Sequence, residues 1–162
     1  MVGLFSRLIV ATTIRMPKWF VGWVSRRYVA GPDLESAVKI MNRLTLEGAC
    51  FTIDVLGEEI SSMQEAGYFL SEYVQVVKAI SENNIDANLS IKPTAFGLLI
   101  DKQKGMLNIE QIVVMANQHN MFVRLDMEDH RVTDDTIQVV IDLHEKFSTG
   151  KWLKEVIKKI KE

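Results

Sequence analysis

The sequence predicts an α/β fold of parallel strands with helices outside them. Three observations carry this expectation: three short apolar runs rich in β-branched residues, a helix-spaced apolar pattern after each, and their regular recurrence. The runs start near residues 49, 87 and 121, the spacing of a strand-plus-helix unit. A length of 162 residues with 48% hydrophobic and 25% charged residues fits one ordinary globular domain. A net charge of -2 gives no footprint for nucleic acid, so no such partner is expected.

The chain opens on "GLFSRLIVATTIRMPKWFVGWVSRRYVAG", which is apolar, basic and free of acids. Arg7, Arg15, Pro17 and Lys18 interrupt it well short of the ~20 apolar residues that a membrane span needs. It has no compact apolar core followed by a small-residue cleavage site, so a signal peptide is not expected. Two short amphipathic helices broken near Pro17 are predicted. They either pack on the main domain or dock peripherally on an anionic membrane through Trp19, Phe20, Trp23 and the basic residues. The expected location is the cytoplasm, with the inner face of the membrane as the peripheral variant.

A further helix, "GPDLESAVKIMNRLTLEG", is opened by Pro32 or Asp33 and closed by Gly48. The first strand is "GACFTIDVLG", Gly48 to Gly57, where the lone Cys50 reads as a small buried hydrophobe. A helix over about 62–83 follows, with Met63, Ala66, Phe69, Leu70, Tyr73, Val74 and Val77 on its apolar face. The second strand is "ANLSIKPT", followed by a Gly-containing loop and a helix over about 108–120, with Asn108 as cap and "QHN" as stop. The third strand, "MFVRLDME", leads to a helix over about 133–147 whose "TDDT" start places acids at the positive end of the helix dipole.

A complete (β/α)8 barrel uses about 250 residues. After "HEKFSTG", where a fourth strand would fall, comes "KWLKEVIKKIKE", with Trp152, Leu153, Val156, Ile157 and Ile160 on one helical face. The expected fold is therefore a partial (β/α)8 TIM-type barrel, truncated at its C-terminal side. N-terminal helices occupy 1–47, three β-α units 48–149, and a divergent amphipathic tail 150–162.

Taken alone, Lys92 at the end of the second strand reads as a surface lysine, with a Schiff-base lysine as the chemical alternative. Asp126, Glu128 and Asp129 read as a solvated turn, with Mg²⁺ ligation as a lesser option. One cysteine excludes an internal disulfide, and no Cys/His cluster has zinc spacing, so no metal is assigned. His130 reads as an exposed turn residue without a role, and His119 and His144 as surface groups on helices.

Four motifs in order, "RYVAG", "FTIDVLGE", "LSIKPTAFGL" and "VRLDMEDHRVTDDT", make the chain resemble the bacterial monofunctional, flavin-dependent proline dehydrogenases over about residues 26–149. The resemblance implies a (β/α)8 barrel with FAD at the C-terminal face of the strands. It also implies oxidation of L-proline to 1-pyrroline-5-carboxylate, with the electrons passing to a quinone. By the same resemblance, Lys92 pairs with the proline carboxylate, and Asp126 sits by the substrate and contacts that lysine. Met127 meets the flavin through its backbone, and Glu58 closes the site by pairing with an arginine late in the barrel. The family's FAD-holding glutamine and arginine and its two late arginines for the substrate all fall after the fourth strand.

The chain is accordingly expected to be a natural truncation, a frameshift product or a piece of a split enzyme, inactive toward proline alone. A second expectation is a non-catalytic interaction module, whose open sheet edge pairs with another copy or with a missing C-terminal half. A third is a different β/α enzyme that uses Lys92 and the Asp126 cluster with a metal. Ile53, Leu89, Ile91, Val123 and Leu125 face either the helices or an unfilled barrel interior. The second case would cost roughly 1.5–3 kcal/mol per exposed side chain and leave a loose monomer or an oligomer.

Overall fold

The computed structural model describes residues 16–25, 28–57, 60–128 and 130–147. The helix expected before Pro17, the tail over 150–162 and Glu58 lie outside the described residues. The backbone forms two compact units, Met1–Ile40 and Met41–Glu162.

In the first unit, helix α1 (Lys18–Ser25) follows Pro17, as the sequence predicts, with Trp19 and Trp23 73% and 64% exposed. Asp33 opens α2 (Leu34–Thr45): its Oδ1 accepts from the Ser36 amide at 2.8 Å, satisfying one of the free N–H groups of the first turn. That helix continues into the second unit, where Gly48, at φ +85°, turns the chain toward the first strand. Among the described residues no helix is long and apolar enough to cross a membrane.

The second unit is a parallel sheet in the order β1-β2-β3, made of β1 (Phe51–Ile53), β2 (Ala87–Ile91) and β3 (Val123–Leu125). Helices α3 (Met63–Glu82) and α4 (Lys102–Gln118) form the two crossovers, and α5 (Thr133–Phe147) follows β3. The strands are shorter than their apolar runs. Pro93 has no amide hydrogen and a fixed φ, so β2 gives way to a 3-10 turn over Pro93–Phe96. The bond from the Asp126 amide to the Ile91 carbonyl, 2.9 Å, extends the β2–β3 pairing just past β3.

The register places Thr52 beside Asn88 and Ile53 beside Leu89, then Ser90 beside Arg124 and Ile91 beside Leu125. Since successive side chains alternate between faces, Leu89, Ile91 and Val123 share one face, where they are buried with Val77, Ile109, Ile112 and Val113. The opposite face carries Thr52, Asn88, Ser90 and Arg124. The apolar barrel interior allowed for in the sequence is therefore replaced by a polar sheet face, and the exposure cost estimated for it does not arise. The same alternation explains Cys50, which is exposed rather than buried because it shares parity with Thr52.

Two further expectations shift. Helix α4 begins at Lys102, not Asn108, because the Asp101 side chain caps it by accepting from the Lys104 amide at 3.1 Å. Asn108 lies inside the helix and donates to the Phe96 carbonyl at 3.1 Å. His144 is only partly exposed, while His119 ends α4 on the surface and His130 stands exposed in a 3-10 turn.

Helices α3 and α4 both exit through an asparagine at positive φ, Asn84 at 51° and Asn120 at 55°. In each case the next residue, Ile85 or Met121, is buried and bonds back to a carbonyl of the last turn. Each exit delivers the chain into the following strand, which is why the unit recurs.

Candidate functional site

The candidate groups stand at the carboxyl ends of the three strands, the end at which parallel β/α folds place their sites. Each strand extends its polar parity by one side chain: Asp54 after β1, Lys92 after β2 and Asp126 after β3. A shallow open cleft of about 640 Å³ is lined by Lys92, Arg124, Leu125, Asp126, Met127 and Glu128.

Lys92 Nζ donates to Asp54 Oδ2 at 2.6 Å, with both side chains largely buried. Asp126 is held separately: Ser90 Oγ donates to its Oδ2 at 2.8 Å and Arg124 Nε to its Oδ1 at 3.1 Å. Arg124 Nη2 also donates to Ser90 Oγ at 3.0 Å, so Ser90, Arg124 and Asp126 form a closed polar triangle across β2 and β3. Lys92 and Asp126 thus line one cleft, Lys92 bonded to Asp54 and Asp126 to Ser90 and Arg124.

Behind these groups lies Tyr73 of α3, fully buried against Phe96 with ring centroids 5.3 Å apart. Its hydroxyl accepts from the Val55 amide at 3.2 Å, donates to the Ser90 carbonyl at 2.8 Å and lies 3.1 Å from Asp54 Oδ1. Burial, reinforced by the charge of Asp54, pushes its ionisation well above the ordinary tyrosine value, so it remains a neutral donor.

Met127 and its neighbours complete the lining of the cleft. The Asp126 amide is bonded to Ile91, and Glu128 Oε2 accepts from Thr94 Oγ1 at 2.8 Å and from the Thr94 amide at 3.3 Å. Met127 thus lies between a backbone bond at Asp126 and a side-chain anchor at Glu128, with its own side chain 57% exposed at the cleft. Among the described residues no group of three or more His, Cys, Asp or Glu side chains is arranged to hold a metal ion.

Of the four residues singled out in the sequence, Lys92, Asp126 and Met127 come together on one cleft; Glu58 lies outside the described residues. Sequence reasoning passed over Asp54, Tyr73, Ser90 and Arg124. Strand parity carried a usable signal for three of them, since 54, 90 and 124 share a face with 92 and 126 once the register is known. Tyr73 gave none beyond its place on the apolar face of α3.

Fold and site together define a β/α protein whose charged groups converge at the carboxyl ends of parallel strands. A family profile described as proline dehydrogenase matches residues 37–157, and the chain belongs to the proline dehydrogenase family. Proline dehydrogenase 1 of Bacillus subtilis subsp. natto is 36% identical over 123 residues, 76% of this chain and 41% of that protein. Proline dehydrogenase of Deinococcus radiodurans is 30% identical over 118 residues, 71% of this chain and 38% of that protein. The chain thus spans about two fifths of the length of the curated relatives it matches. Among solved structures, proline utilization A (PutA) from Bdellovibrio bacteriovorus inactivated by N-propargylglycine shares the fold. There the TM-score is 0.65 at 21% identity, covering 74% of this chain and 15% of that one.

Proposed function

We propose that this chain supplies one wall of the substrate and flavin site of a proline-oxidising enzyme with a (β/α)8 barrel. The observation that carries the reading is the Lys92 and Asp126 cleft at the carboxyl ends of β2 and β3, set in a chain of this family. Lys92 would bind the carboxylate of L-proline as a point charge. Asp126, its two oxygens fixed by Ser90 and Arg124, would stand beside the bound ring and limit its orientation. Glu58 would close the site by pairing with an arginine elsewhere in the barrel.

The residues present fit the ring end of FAD: the exposed Met127 side chain, held between the bonded Asp126 amide and the Glu128 side chain, would offer an apolar lip to a planar edge. When bound, FAD would accept a hydride from proline and pass the electrons on to a quinone. The chain's own part is to hold the substrate carboxylate and fix the rim on which the ring rests.

On this reading one wall does not make a site, and the purified chain with FAD and L-proline does not reduce a quinone-analogue dye. A chimaera in which residues 37–157 replace the matching segment of Bacillus subtilis proline dehydrogenase 1 does reduce it. Dye reduction by the chain alone would refute the first statement. A folded, flavin-loaded but proline-inert chimaera would refute the second.

A second reading, an interaction module, is favoured by the sheet edges: β1 and β3 each have one hydrogen-bonded neighbour among the described strands. Light scattering on the purified chain tests it, with self-association expected and a stable monomer contradicting it. Peripheral membrane contact through the exposed Trp19 and Trp23 would show as co-sedimentation with anionic vesicles.

A further inference from the structure

A lysine is a poor fixed point of recognition unless its ammonium is held, because its long flexible stem permits many rotamers. Here the holding group is identifiable. Asp54 presents Oδ2 to Lys92 Nζ at 2.6 Å, while its other oxygen lies 3.1 Å from the Tyr73 hydroxyl. Tyr73 is itself immobilised by full burial, by the Val55 amide just after β1 and by the Ser90 carbonyl of β2. The carboxylate is gripped from the core side and faces the ammonium on the cleft side.

We propose that Asp54 is a positioning residue for Lys92, fixing the ammonium at the end of β2 for a ligand carboxylate, with Tyr73 transmitting the rigidity of the core to it. This rests on the reading of Lys92 as the carboxylate-binding group. Asp54 has no part in the chemistry itself. Its effect on ligand binding acts through the location of Nζ, and its near isostere without charge removes that effect while preserving volume.

The test uses the ¹⁵N-labelled 162-residue chain and spectra selective for lysine ammonium groups. A tightly held ammonium exchanges slowly enough with water to give a signal; a loose one does not. Lys92 is assigned by its loss in Lys92→Arg. The expected result is a Lys92 signal in the parent chain, absent in Asp54→Asn and restored in Asp54→Glu. A purely structural role for Asp54 does not predict that rescue. If Asp54→Asn fails to fold, the parent chain alone decides through the scalar correlation from Lys92 Nζ to the Asp54 carboxyl carbon across the hydrogen bond. Persistence of the signal in folded Asp54→Asn, or no correlation in the parent chain, overturns the proposal. Addition of L-proline forms a separate arm. If the Asp54 dependence is present but proline binding by the flavin-loaded chimaera carrying residues 37–157 is unchanged by Lys92→Met, the positioning stands and the carboxylate-binding reading fails.

Discussion

Replacing Tyr73 with phenylalanine removes one oxygen from the point where helix α3 meets the ends of β1 and β2. The ring stays in its pocket against Phe96, so no cavity of consequence opens and the loss is one of hydrogen bonding. The Val55 amide loses its acceptor at 3.2 Å, the Ser90 carbonyl its donor at 2.8 Å, and Asp54 a polar neighbour at 3.1 Å. A buried polar group left without a partner costs about 1–3 kcal/mol. With two backbone groups affected and partial relief by relaxation, Tyr73→Phe should destabilise the chain by about 2–4 kcal/mol, a large part of a typical domain's stability. Urea denaturation followed by far-UV circular dichroism reads this directly. The substitution also has a pH signature. The hydroxyl's ionisation is raised in the folded chain above the ordinary 10.0, so above that pH the unfolded chain binds fewer protons than the folded one. Stability contributed by this group is complete below pH 10 and falls as pH rises beyond it, by about 1.4 kcal/mol per unit. The variant should lack this component of the alkaline loss. A destabilisation under about 0.5 kcal/mol, or an unchanged alkaline slope, would refute the account of Tyr73 as the buried anchor of the strand ends.

Gly105 of α4 lies so close to the preceding loop that an added Cβ would stand 2.7 Å from the Leu98 amide nitrogen. Gly105→Ala should therefore destabilise by about 1–3 kcal/mol in the same urea titration, against the usual helix preference for alanine. Glu65 accepts from the Ser61 and Ser62 side chains at the start of α3, and these bonds hold its ionisation below the ordinary 4.5. Its support for the helix is thus present above pH 4.5 and lost as pH falls through the depressed folded value. Carboxyl-selective NMR should show the Glu65 midpoint rising toward the ordinary value in Ser61→Ala. Cys50, exposed just before β1, should react with a thiol reagent in the native chain as completely as in denaturant; protection would contradict the strand parity assigned to β1.

The recurrence of strand and helix was legible because each unit uses the same local devices. Apolar residues recur at helical spacing, and an asparagine with a buried residue after it ends both α3 and α4. Strand lengths were not legible, since an apolar run records burial rather than pairing. "GACFTIDVLG" therefore looks longer than the three residues that pair in β1. Asp101 and Asn108 are both competent caps by sequence, but Asp101 accepts from the Lys104 amide while the Asn108 side chain is engaged with the Phe96 carbonyl, so α4 begins earlier than its apolar pattern. Lys92, Asp126 and Met127 are legible through motifs, which do not name the Asp54, Ser90 and Arg124 side chains bonded to them. The Asp54 pairing depends on register across β1 and β2, a property of two segments that neither reveals by itself.

If Lys92 binds the carboxylate of proline, the proline KM of the chimaera carrying residues 37–157 depends on its ammonium. A charge-assisted hydrogen bond is worth about 1.5–3 kcal/mol, so Lys92→Met should raise the KM roughly 10- to 150-fold with flavin content unchanged. A KM within about twofold of the parent chimaera, at equal flavin loading, would contradict the account.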